Sequence, residues 1–61
     1  MVEYPSYLFS AVGVERVFHA PNRLQAVYMA AAIADELSLD CWVLYRYPFR
    51  FKVFEMLPDE Y

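Results

Sequence analysis

A single cysteine, a single glycine and a single histidine stand among the 61 residues, and each scarcity removes a class of explanation. Cys41 alone gives no intramolecular disulfide, so nothing staples the domain, and a reducing, cytoplasmic compartment is the simpler expectation. His19 alone gives no histidine pair and no Cys/His spacing for zinc. Gly13 alone leaves no glycine-rich loop to cradle a phosphate, and Ser6, Ser10 and Ser38 lack the glycines that shape a nucleophile elbow. Cys41 has no basic neighbour in sequence to activate it as a nucleophile. The expectation is a protein that is not an enzyme and holds no metal, cofactor or small-molecule substrate.

Charge is also scarce. Five basic residues against eight acidic ones give a net charge of −3, where generic nucleic-acid affinity usually shows as a basic domain. The acids are too few and too scattered to imitate DNA. Glu3 and Pro5 follow Met1 where a signal peptide would need a basic and then an apolar stretch. The longest charge-free run falls well short of the ~20 residues that span a bilayer. The expectation is one soluble domain over 1–61, with 58–61 as a frayed acidic tail, and no membrane partner.

What is abundant is apolar surface. Hydrophobic residues make up 61% of the chain and aromatic ones 20%, against a usual apolar share of ~45–50%. A domain this small buries only ~60% of the surface its unfolded chain exposes. Surplus apolar side chains without a staple point to an oligomer or a bound partner.

Along the chain, Tyr7-Leu8-Phe9-Ser10-Ala11 and Val14-Glu15-Arg16-Val17-Phe18 are strand-like runs on either side of Gly13. A glycine there can take the positive φ of a tight hairpin turn. The alternative is one long strand bent at Gly13, because neither turn parity sorts all the apolar residues onto one face. Asn22 is a good N-cap with Gln25 three residues on, opening a helix from about Arg23 to Leu37. Ser38-Leu39-Asp40 makes the exit, and Asp35 and Glu36 occupy a last turn where the macrodipole disfavours acids. Cys41–Arg46 and Phe49–Phe54 read as two further strands about Tyr47-Pro48. The expected fold is α+β: β-β-α-β-β, a four-stranded, mostly antiparallel sheet with one helix packed on one face.

The helix runs from Gln25 to Ala34 without a charge and is apolar around most of its circumference. At 100° per residue, Leu24, Val27 and Tyr28 lie on one flank and Met29, Ile33 and Leu37 on another. A surface helix needs an apolar stripe of little more than ~100°. One flank is therefore expected to meet the sheet and the other a second molecule, most simply a second copy. Alanine tolerates exposure, so Ala26, Ala30 and Ala32 make no demand for cover.

Tyr45-Arg46-Tyr47-Pro48-Phe49-Arg50-Phe51-Lys52 interleaves aromatics with three of the five basic residues. An even-numbered turn centred on Tyr47-Pro48 sets Trp42 opposite Val53, Leu44 opposite Phe51 and Tyr45 opposite Arg50. It gathers Trp42, Leu44, Phe49, Phe51 and Val53 into an uncharged core face. Tyr45, Arg50, Lys52 and Phe54 then form a target-binding face with Cys41 and Val43. An odd turn would mix the charges into the core. Such a surface suits a protein target, since aromatics and arginine anchor interfaces. Single-stranded nucleic acid is the alternative, through stacking and phosphate contacts, although no RNP-like motif or GXXG loop is present. The functional expectation is a non-enzymatic interaction module: a homodimeric regulator or inhibitor, of the kind viruses encode as accessory proteins, that occludes or bridges a protein target.

Overall fold

The computed structural model describes residues 3–57; the expected acidic tail, 58–61, lies outside them. Four strands and one helix follow in the order β1 (Ser6–Ala11), β2 (Val14–His19), α1 (Arg23–Glu36), β3 (Trp42–Tyr47) and β4 (Phe51–Met56). All three pairings are antiparallel, and the sheet order is β2-β1-β3-β4. The β-β-α-β-β expectation holds, and so does the helix across one face.

The β1–β2 hairpin forms, closing Ala11 against Val14 through Val12 and Gly13. Gly13 has φ 76, a region that costs glycine nothing and other residues energy. The even register places Tyr7, Phe9, Ala11, Val14 and Phe18 under the helix. It leaves Leu8 and Val17 on the open face, directly opposite each other. Tyr45 faces Leu8 from the other side, so Leu8 is only 5% exposed on a face that no second layer covers among the described residues. The apolar residues that would not sort onto one face are therefore paired with one another on the second.

The second hairpin keeps the expected parity but not the expected register. Arg46 pairs with Phe51 and Tyr45 with Lys52, a slide of two residues. The strands are joined by Pro48, Phe49 and Arg50, with a cis Tyr47-Pro48 bond and Arg50 at φ 61. The Arg50 N–H donates to the Arg46 carbonyl at 2.8 Å. Beyond Tyr45 the register shifts again, so that Leu44 faces Phe54 and Trp42 faces Met56. Val53 is the extra residue of a β-bulge, which turns both Val53 and Phe54 toward the core.

Helix α1 begins as the sequence indicates. Asn22 Oδ1 accepts from the Gln25 N–H at 2.9 Å, a cap worth about 1 kcal/mol. It ends with Leu37 as C-cap. The Ser38 N–H then bonds Asp35 O at 3.2 Å and the Leu39 N–H bonds Ala34 O at 2.8 Å, the pattern of a Schellman motif. Ser38 sits at φ 57, where glycine is the usual occupant. Ser38→Gly is therefore expected to stabilise the fold by roughly 0.5–1 kcal/mol, the relief of left-handed strain exceeding the added chain entropy. A urea midpoint that stays put or falls would show that the hydroxyl contributes something the strain argument omits.

The helix meets the sheet through Ala26, Ala30 and Ala34, all buried. Neither expected flank faces the sheet as a whole. Ile33 and Val27, one from each, turn partly inward against the core, while the alanines between them make the contact. Without side chains beyond Cβ in the way, the helix lies close over Phe9, Trp42 and Leu44. Phe9 and Trp42 have ring centroids 5.6 Å apart, and Trp42 and Phe54 5.4 Å. This run of three rings with Leu44 is the centre of the core.

Candidate functional site: the β4 side of the molecule

The strand alternation decides which of the aromatic and basic residues can act together. Tyr45 and Lys52 are directly paired on the open face. Phe54 is not with them, because the Val53 bulge turns it inward against Trp42. Arg50 belongs to the β3–β4 turn and to neither face. Arg46 lies on the helix side, its guanidinium 5.7 Å from the centre of the Tyr7 ring, a cation–π distance. The rings and cations of this segment are thus divided between two faces and a turn. The expected four-residue face reduces to the Tyr45–Lys52 pair.

Lys52 has a second partner. Its Nζ lies 3.2 Å from Glu55 Oε1, although residues three apart in a regular strand point to opposite faces. The bulge restores their common side: Lys52 faces Tyr45, Glu55 faces Val43, and both belong to the open face. The two side chains are 55% and 36% exposed, so the pair adds little to stability.

The expected helix flanks are each split by the alanine stripe. Met29 and Leu37 remain partly exposed beside inward Ile33, whereas Leu24 and Tyr28 project into solvent at 62% and 63%. Leu24 and Tyr28 are one turn apart on the side of the helix that overhangs β4. Between helix and strand runs a groove of about 380 Å³ lined by Arg23, Leu24, Val27, Val53 and Phe54. Phe49 in the β3–β4 turn and Phe51 at the start of β4 are each 68% exposed, with ring centroids 6.0 Å apart. Exposed apolar side chains thus stand on the elements that flank the groove: Leu24 and Tyr28 on the helix, Phe49 and Phe51 where the chain enters β4. Clustered exposed apolar surface marks interaction sites more often than scattered single residues do.

Phe49 and Phe51 escape sequence reasoning, because they look like core residues until the register is known. Leu24 and Tyr28 belong to one of the two flanks expected to face a partner, and the spacing of Ala26, Ala30 and Ala34 at successive fours is the signal that singles them out as exposed.

The groups with reactive potential lie elsewhere. His19 is exposed at the end of edge strand β2. Cys41 is half-buried in a second, shallower groove of about 220 Å³ at the far end of the sheet, with Ala11, Trp42 and Met56. Among the described residues no three His, Cys, Asp or Glu side chains gather to hold a metal, and no helix is long and apolar enough to cross a membrane. Comparison with protein-family models, with curated proteins and with solved structures gives no match to this chain.

Proposed function

We propose that this is a non-enzymatic interaction module of a reducing, cytoplasmic compartment, a self-associating regulator or inhibitor that binds a protein target through its β4 side. The observation that carries the reading is the exposure of Leu24, Tyr28, Phe49 and Phe51, four large apolar side chains each more than 60% exposed. Leu24 is also one wall of the groove between α1 and β4. Leaving the four in water forgoes on the order of 1.5–3 kcal/mol apiece relative to full burial. A protein partner recovers that energy with large, stiff aromatic anchors. The nucleic-acid alternative needs several rings and cations on one face, and the open face offers only the Tyr45–Lys52 pair to support it.

Site-specific photocrosslinking tests the proposal. A benzophenone amino acid placed at Tyr28 or Phe49 should give adducts of discrete mass, in purified protein or host lysate. The same group at exposed Arg16 on β2 should not. Leu24→Glu should reduce the yield at Phe49 about tenfold, the loss expected when an interface anchor is removed. Equal labelling at all three positions, or none, would discard the reading.

A further inference from the structure

β4 is an edge strand, and its sequence has an unusual internal order once the bulge is counted. Phe51 lies on the helix side, Lys52 on the open face, Val53 and Phe54 both toward the core, Glu55 on the open face and Met56 on the helix side. Read from either end the order of faces is the same, and the two open-face residues have opposite charge. We infer that β4 pairs antiparallel with β4 of a second copy, about a two-fold axis between Val53 and Phe54. The inference rests on the self-association proposed above and gives it a surface.

In that register Lys52 stands opposite Glu55 of the second copy, twice. Val53 stands opposite Phe54, and Phe51 opposite Met56. Every pair keeps like face with like face, and both charge contacts are attractive. Cross-strand neighbours of opposite charge stabilise a sheet, whereas like charges directly opposite destabilise it. A strictly alternating strand of even length cannot pair in full this way, because its end-to-end partners would point to opposite sides. The bulge removes that obstacle in β4.

The other edge shows the contrast. β2 alternates without a bulge over Val14–His19. Its face-keeping self-pairings must centre on one residue. Centred on Glu15 or Arg16 they oppose like charges, and centred on Val17 they leave Val14 outside the pairing. Assembly through β4 alone therefore closes at two copies. The result is a continuous eight-stranded sheet with both helices on one face. The two grooves become one, floored by Val53 and Phe54 of both copies and walled by Leu24 and Val27 of each.

A charge-reversal mixture tests this directly. Lys52→Glu puts glutamate opposite glutamate at both contacts, and Glu55→Lys puts lysine opposite lysine. Each variant alone should dimerise at least about tenfold more weakly than the wild type. An equimolar mixture of the two should recover the dimer as a heterodimer, since both contacts become attractive again. Mixing leaves the repulsion inside each chain unchanged, so recovery reports the contact between chains. Sedimentation velocity gives the readout, with circular dichroism to establish that both variants fold.

A wild-type protein that is monomeric at high micromolar concentration would overturn the inference. So would a wild-type dimer that neither variant weakens; self-association would then stand but run through another surface. A mixture no more dimeric than its components would overturn it as well. Crosslinking to a target from Tyr28 and Phe49 is scored separately, so failure of the β4 pairing does not decide the target reading.

Discussion

Phe9→Ala should be the most destabilising single truncation in this protein, lowering stability by about 3–5 kcal/mol. Phe9 is fully buried, directly opposite Leu44 and against the Trp42 ring. Removing such a ring costs about 3–5 kcal/mol, transfer energy and cavity together. A chain of this length has roughly 3–9 kcal/mol of stability in all, at 0.05–0.15 kcal/mol per residue. The substitution therefore removes about a third of the total or more, and all of it at the low end of that range. Far-ultraviolet circular dichroism against urea is the measurement, with exposed Phe49→Ala as comparison. If Phe9→Ala loses less than about 1 kcal/mol, the core is centred somewhere other than under the alanine stripe.

Ala30→Leu should be the second most damaging of the small changes. Ala30 is fully buried in the middle of the stripe, and Ala32, two residues on, is exposed. Leucine has nearly the helix propensity of alanine, so propensity predicts almost no effect at either position. Packing predicts a difference. Methylenes forced between the helix and the sheet cost about 1–3 kcal/mol, and the helix must lift to admit them. Lifting it would also open the groove between α1 and β4. Ala32→Leu should be neutral within about 0.5 kcal/mol, as surface changes usually are. Equal urea midpoints for the two variants would show that the helix has slack above the sheet and that the alanines do not set its height.

The elements were legible because each has a local cause. Asn22 with Gln25, the charge-free run to Ala34, Gly13 between two strand-like runs, and the aromatic strands after Asp40 each announce themselves within a few residues. What the sequence conceals is register, which depends on pairs of residues far apart. The β3–β4 turn shows this well. Even parity was inferable from the uncharged core face it creates, and the parity is right. The slide of two residues was not, because sliding by two leaves every side chain on its original face. The bulge then moved Phe54 from the binding face to the core and undid the four-residue site. Its trace in sequence is the adjacent pair Val53-Phe54 inside an otherwise alternating strand. Helix orientation is concealed for a related reason. The sequence offers two apolar flanks without choosing between them, and the three small residues at Ala26, Ala30 and Ala34 decide it because they permit the closest approach and hold the contact face.

The sheet order has a consequence in time. β1 lies between β2 and β3, so one of its edges is satisfied by the strand made next and the other by a strand made only after the helix. At about 5–20 residues per second of translation, that second edge waits on the order of seconds. Until β3 docks, the segment holding Tyr7, Leu8 and Phe9 has no partner on that edge, and unpaired strand edges are templates for aggregation. The strand at the centre of the sheet thus completes its pairing only after the helix has been made.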